Sequence, residues 1–245
     1  MTQKLAYVTG GMGGIGTTMC QRLHQDGFKV IAGCGPTRDH LKWLGEQSAL
    51  GFAFHASVGN VGDWDSTVAA FQKVKVEHGP VDVLVNNAGI TRDGMFRKMS
   101  RADWDAVIET NLTSLFNVTK QVIDDMVERG WGRIVNISSV NGEKGQFGQT
   151  NYSAAKAGMH GFTMALAQEV AAKGVTVNTV SPGYIATDMV KQIRQDVLDK
   201  IIAGIPVKRL GTPNDIASMV AWVASDESGF ATGADFSVNG GLHMG

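Results

Sequence analysis

The chain has 245 residues, with 22 Lys and Arg against 23 Asp and Glu, for a net charge of −1. This near balance argues against a polybasic nucleic-acid surface or an acidic tail, and the length suits one α/β domain with a sizeable core. Thirty-one scattered glycines imply many tight turns, and two cysteines without a CxxC spacing read as buried small hydrophobes of a reducing compartment.

Met1–Gly11 shows no basic segment followed by a long apolar run, and no run is long enough to span a bilayer. A soluble cytoplasmic protein with no membrane partner is the expectation. "KLAYVTG" reads as a first buried strand, followed by a helix over 14–26. "KVIAGCG" precedes a helix over 39–50, and "FAFHAS" one over 63–78. "VDVLVNNAG" precedes a long helix over 101–129, and "GRIVNISS" one over 152–173. "VTVNTVSPG" leads to helices over 188–203 and 213–224, and "ADFSVNGG" closes the chain. Each strand is rich in Val and Ile and ends in Gly, Ser or Asn, as buried parallel strands do. The alternation predicts an α/β fold, a doubly wound parallel sheet with helices on both faces, in one domain over 1–245.

"YVTGGMGGIG" ends the first strand and opens the first helix. Glycines there let the backbone approach a pyrophosphate, and the helix N-terminus offers unpaired N–H groups. The spacing is TGxxxGxG, carried by Thr9, Gly10, Gly14 and Gly16. The tip of the second strand reads Cys34-Gly35-Pro36-Thr37-Arg38, with no carboxylate for ribose hydroxyls. Arg38 can pair with a 2′-phosphate, so NADP (NADPH) is expected over NAD.

Tyr152 stands four residues before Lys156, which places both on one helix face. A free phenol, with a pKa of about 10, exchanges protons poorly at neutral pH, and a nearby ammonium lowers that value. The pair therefore reads as an acid/base for a carbonyl or an alcohol. Ser139 closes the fifth strand, at the sheet end where α/β folds place their sites. Asn111 interrupts a good helix, which points to a kink or to a water-binding role.

Together TGxxxGxG, "NNAG" at 86–89, Asn111, Ser139, YxxxK and "PG" at 182–183 resemble the short-chain dehydrogenase/reductase family over essentially the whole chain. The resemblance implies a Rossmann-type domain, commonly tetrameric, hence a homotetramer. It implies a catalytic tetrad of Asn111, Ser139, Tyr152 and Lys156. Ser139 would polarise the substrate carbonyl and Tyr152 donate the proton. Lys156 would lower the Tyr152 pKa and bind ribose hydroxyls, and Asn111 would hold a relay water. Cofactor contacts implied are Thr9, Gly10, Gly14, Ile15, Gly16, Gly35, Arg38, Val61, Asn87, Ala88, Gly89, Tyr152, Lys156, Pro182, Gly183, Ile185 and Thr187. One departure stands at Asn60, where many members carry Asp; its amide can still contact adenine.

Within the family the chain is similar to NADPH-dependent reductases of acetoacetyl-CoA in polyhydroxyalkanoate synthesis. "GITRDGMFRKM", "SSVNGEKGQFGQTNYS" and "SPGYIATDMV" carry that likeness. It implies an acyl-CoA substrate, met by Asp93, Lys98, Ser139, Gln146, Phe147, Gln149, Tyr152 and Tyr184. Phe147 and Tyr184 would close a small acyl pocket. Reductases of 3-oxoacyl carrier-protein thioesters resemble the chain almost as well, and Arg129 and Lys173 could greet an acidic carrier. A regulatory cofactor-binding protein is the non-enzymatic alternative, which the complete tetrad disfavours. Six dispersed histidines with no ligand spacing predict no metal.

Overall fold

The computed structural model describes residues 3–187, 190 and 194–244. The first half comprises β1 (Leu5–Val8), α1 (Gly14–Gln25), β2 (Lys29–Cys34), α2 (His40–Ala49), β3 (Phe54–Val58), α3 (Trp64–His78) and β4 (Val83–Asn86). The second begins with α4 (Arg101–Ile108), α5 (Ser114–Thr119), α6 (Ile123–Arg129) and β5 (Gly132–Ile137). It continues with α7 (Val140–Lys144), α8 (Thr150–Val170), β6 (Val175–Pro182), helices Gln195–Gly204 and Pro213–Ala224, and β7 (Asp235–Val238). The seven strands form one parallel sheet in the order β3-β2-β1-β4-β5-β6-β7, the expected doubly wound architecture.

Every residue of β1, β4, β5 and β6 is buried, which is why these segments read as continuous apolar runs rather than alternating ones. On one face α1 and Pro213–Ala224 seal the sheet with Met19, Leu23, Ile216 and Val220. On the other, Phe71, Val118, Met126 and Val170 do so from α3, α5, α6 and α8. Local signals start the helices. Asp63 and Ser100 cap α3 and α4, and Thr212 and Asp215 form a capping box around Pro213.

The chain order reverses between β1 and β4, which opens a crevice at their carboxyl ends. Thr9 holds its two walls. Its Oγ1 accepts the N–H groups of Asn87 and Ala88, each at 2.9 Å. Asn87 Nδ2 returns bonds to the carbonyls of Thr9 and Gly10 at 3.0 and 3.2 Å. Deeper, a polar chain crosses the sheet. Asn86 donates to Asn136 at 2.9 Å, Asn136 to Thr163 at 2.8 Å, and Thr163 meets Thr179 at 2.8 Å.

The single helix expected over 101–129 is broken. Glu109–Thr113 is a π-helical turn, and a further turn at 120–122 separates α5 from α6. The cause lies at Asn111, fully buried, whose amide takes both the N–H (2.8 Å) and the C=O (2.9 Å) of Ile90. A wider turn aims that side chain inward against a segment distant in sequence. The short α7 and a 3-10 turn at Phe96–Lys98 are further elements that periodicity does not reveal. Of the helix expected over 188–203, the described part is Gln195–Gly204; residues 188, 189 and 191–193 lie outside the described residues. Among the described residues no helix is long and apolar enough to cross a membrane.

Candidate active site

The glycines after β1 make a cradle without side chains. Gly10 has φ +61°, and a Cβ there would lie 3.1 Å from Ala88 Cα. A Cβ at Gly16 would collide with the Gly10 carbonyl oxygen. No side chain caps α1, so its first N–H groups, at Gly14, Ile15 and Gly16, are left to an anion. This cradle is one end of a cleft of about 580 Å³. The cleft passes Gly35 and Arg38, then Asn87, Ala88 and Gly89, and reaches Ser139, Tyr152 and Lys156. Pro182, Gly183, Ile185 and Thr187 close its far wall. A bare backbone at a helix N-terminus, joined to a polar floor, fits a dinucleotide.

Arg38 Nη2 donates to the Met12 carbonyl at 2.8 Å, which lays the guanidinium along the cleft. Asp39 is turned away and caps α2 by accepting the Lys42 N–H at 3.0 Å. Thr9 acts beneath the cleft, through the crevice bonds. Asn60, expected at the adenine, and Val61, expected to contact the cofactor, do not line the cleft. Asn60 Oδ1 accepts the Gly62 N–H at 3.2 Å to turn the chain after β3, and the Val61 carbonyl takes Asn117 Nδ2 at 3.0 Å.

Ser139 ends the β5 segment and caps α7, its Oγ accepting the Asn141 N–H at 3.2 Å. Tyr152 lies in the first turn of α8 and Lys156 one turn later. Lys156 Nζ donates to the Ile137 carbonyl at 2.7 Å and stands 5.6 Å from the Tyr152 ring centroid. Gly89 lets Asn111 and Lys156 converge: a Cβ there would lie 3.2 Å from Asn111 Oδ1 and 3.6 Å from Lys156 Nζ. The fold thus brings Ser139, Tyr152 and Lys156 of the expected tetrad to one end of the cleft, with Asn111 buried behind Gly89.

The electrostatics differ from the expectation. Burial pushes the Tyr152 phenol up, the Ser139 hydroxyl offsets part of this, and the charge of Asp93 adds to it. Burial also brings the Lys156 ammonium down to about 7. The net direction at Tyr152 is therefore upward rather than the expected downward one, because burial opposes charge on both groups. The Asn111 side-chain amide clamps the Ile90 backbone.

On the substrate side, Gln149 and Tyr184 line the cleft. Asp93 accepts from Gln149 Nε2 at 2.9 Å, and Asn141 Nδ2 donates to Gln149 Oε1 at 2.9 Å. Lys98, Gln146 and Phe147 do not line the cleft. Gln146 is held by Lys144 at 2.9 Å, and Phe147 is 85% exposed, so a pocket closed by two rings is not formed here. Arg129 donates to the Val81 carbonyl at 2.7 Å, at the opposite end of the sheet. Lys173 lies beyond α8, roughly 25 Å along the helix from Lys156 at 1.5 Å per residue. Within one chain both therefore lie away from this cleft. Ile90, Thr91, Val140 and Asn141 are lining residues beyond those expected; their adjacency to "NNAG" and to Ser139 was the available signal. Among the described residues no group of His, Cys, Asp and Glu could hold a metal ion.

Residues 4–198 match the family model of the short chain dehydrogenases. The chain is 79% identical to an acetoacetyl-CoA reductase of Cupriavidus necator, covering 100% of both. It is 58% identical to nodulation protein G of Azospirillum brasilense, over 99% of each chain. It is 44% identical to a 3-oxoacyl-[acyl-carrier-protein] reductase of Vibrio cholerae, over 98% of each.

Proposed function

The chain belongs to the short-chain dehydrogenase family, and from that premise we propose that it reduces acetoacetyl-CoA to (R)-3-hydroxybutyryl-CoA with NADPH in polyhydroxybutyrate synthesis. It is an oxidoreductase acting on a 3-oxoacyl thioester. The observation that carries the finer reading is a single cleft joining the glycine cradle to Ser139, Tyr152 and Lys156. Full-length likeness to an acetoacetyl-CoA reductase supports the choice of thioester.

The nicotinamide cofactor, when bound, supplies a hydride. Gly10, Gly14, Ile15 and Gly16 hold its pyrophosphate at the α1 N-terminus, and Arg38 beside Gly35 takes the 2′-phosphate. Asn87, Ala88, Gly89, Pro182, Gly183, Ile185 and Thr187 line the nicotinamide half. Burial keeps Tyr152 protonated, the form a reduction needs, and its proton goes to the substrate C3 oxygen. Ser139 Oγ accepts from the Asn141 N–H, and its own hydrogen, which faces Tyr152, can turn to that same oxygen. Lys156 binds ribose hydroxyls and, with a pKa brought down to about 7, can pass a proton toward Tyr152 near neutrality. Gln149 and Tyr184 hold the acyl chain, with Asp93 orienting Gln149.

The competing substrate is the carrier-protein thioester, the activity that the name of the V. cholerae relative carries. Arg92, Arg97 and Lys98 are exposed on the segment that follows Thr91 of the cleft lining, and their charges would suit the phosphates of CoA. The test compares kcat/KM for both thioesters with NADPH at low and high salt. We expect the CoA ester to win. A higher, salt-sensitive value for the carrier-protein ester moves the chain to fatty-acid synthesis, and no turnover of either revives the regulatory reading. Residues 1–245 as one cytoplasmic domain that assembles as a homotetramer belong to the same proposal. An exposed stacked pair, Trp64 and Phe116 at 5.7 Å, supports association.

A further inference from the structure

Behind the cleft, side chains join the edge strand to the catalytic helix. Buried Ser138 places Oγ 2.9 Å from the Lys156 carbonyl oxygen and 3.1 Å from His160 Nε2. His160 Nδ1 faces Asp235 Oδ2 of β7 at 3.4 Å. Ser181 of β6 donates to the other oxygen of Asp235 at 2.8 Å.

The hydrogens fix the direction of this chain. A carbonyl only accepts, so the one hydrogen of Ser138 goes to Lys156. Ser138 Oγ must then accept from His160, which places a hydrogen on Nε2. In a neutral ring the lone pair of Nδ1 would face a carboxylate that also only accepts. One proton between them removes the conflict, as imidazolium beside carboxylate or imidazole beside carboxylic acid. Burial favours a proton on Asp235, ahead of the opposing effects of Ser181 and His160. Glu143 of α7, bonded to Ser237, favours it further. On the helix of His160 itself, Lys156 lies one turn back with Nζ committed to Ile137.

We propose that Ser138, His160 and Asp235 form a proton-bearing strut that positions Lys156 and the catalytic end of α8, complete only while one proton sits between His160 and Asp235. The helix already pairs the His160 N–H with the Lys156 carbonyl. The strut closes a second path to that same oxygen, so a shift of His160 is felt at Lys156. The Gly142 backbone of α7, where a Cβ would lie 2.9 Å from the Lys156 backbone, presses from the other side. The proposal rests on the reading of Lys156 as catalytic.

Two measurements test it. Ring ¹⁵N shifts of His160 in the full chain read the tautomer without turnover. Nε2 is expected to carry a hydrogen, and a neutral ring protonated on Nδ1 alone overturns the strut. The second uses kinetics. His160→Ala and Asp235→Leu should lower kcat about tenfold by misplacing Lys156. Asp235→Asn, whose amide can donate to Nδ1 and accept from Ser181, should stay within about twofold. That variant should also hold its kcat to higher pH, because its hydrogen does not titrate. Folded Ala and Leu variants with full kcat, or an unchanged pH profile in Asp235→Asn, overturn the proposal. If the wild-type protein does not turn over acetoacetyl-CoA at all, the functional reading fails, and the ¹⁵N shifts still decide the strut.

Discussion

The turn after β1 and the stretch from Ser139 to Lys156 face each other across one cleft, yet they work by opposite means. The turn works by lacking side chains: Gly10 and Gly16 leave room only for backbone. The second stretch works by burying side chains that water would otherwise hold, Lys156 being 3% exposed. A cradle of backbone N–H groups needs space and a helix end, and both are set locally. The proton chemistry across from it needs desolvation, which packing from β4, β5 and α7 supplies. Substitutions at the first region should therefore act on cofactor affinity, and those at the second on chemistry and on pH dependence.

Tyr152→Phe gives the largest expected effect and the sharpest break of this contrast. Loss of the proton donor should cost about 10²–10⁴ in kcat, with the NADPH Kd nearly unchanged. Steady-state kinetics beside a fluorescence titration check it, and retention of more than half the turnover would sink the assignment.

Gly16→Ala should show the mirror pattern. The added methyl collides with the Gly10 carbonyl oxygen, so the cradle must shift. NADPH binding by calorimetry should weaken about 10- to 100-fold, roughly 1.4–2.7 kcal/mol, with kcat at saturating cofactor falling far less. An unchanged Kd would show that the turn does not hold the pyrophosphate.

Lys156→Met should lose turnover and gain stability, as no cradle substitution can. The folded pKa of Lys156 is about 7 against 10.5 for the free group. Between those values the unfolded chain holds more protons than the folded one, so wild-type stability rises with pH across this window. Below it the folded chain carries the full cost of a buried ammonium. The variant should be more stable by about 1–3 kcal/mol at neutral pH, after the lost bond to Ile137 is counted. The gap should close towards pH 10, as read by urea unfolding at three pH values; a constant gap would mean that Lys156 is not desolvated.

Arg38→Ala should be the mildest. It removes a charge-assisted contact at the cleft edge, so the KM for NADPH should rise about tenfold and that for NADH should hardly move. Equal efficiency with both cofactors in the unmutated enzyme would remove the case for a 2′-phosphate site.

The architecture was readable because its signals are local. Runs such as "VDVLVNN" and "GRIVNIS" become buried parallel strands, and TGxxxGxG becomes the cradle. The four-residue spacing of Tyr152 and Lys156 sets their shared face whatever surrounds them. Asn111 was marked as a misfit in a helix, and there the helix turns π. The form of that break was not readable, because it depends on Ile90, which arrives from β4. That Phe147 and Gln146 stand outside the cleft lining was not readable for a related reason: a loop rich in glycine does not say which side chain turns inward.

The sequence by itself determined the succession of strands and most of the helices between them, the cradle and the identities of the chemical groups, since each depends on residues adjacent in the chain. Tertiary structure alone decided their electrical state and their partners. Burial raises Tyr152 and lowers Lys156 because packing from distant elements excludes water from both. The same distance in sequence hides the bonds from Asn111 to Ile90 and from Ser138 through His160 to Asp235. It also sets Arg129 and Lys173 at the far end of the sheet, because α6 and α8 run antiparallel to the strands they cover and end away from the cleft.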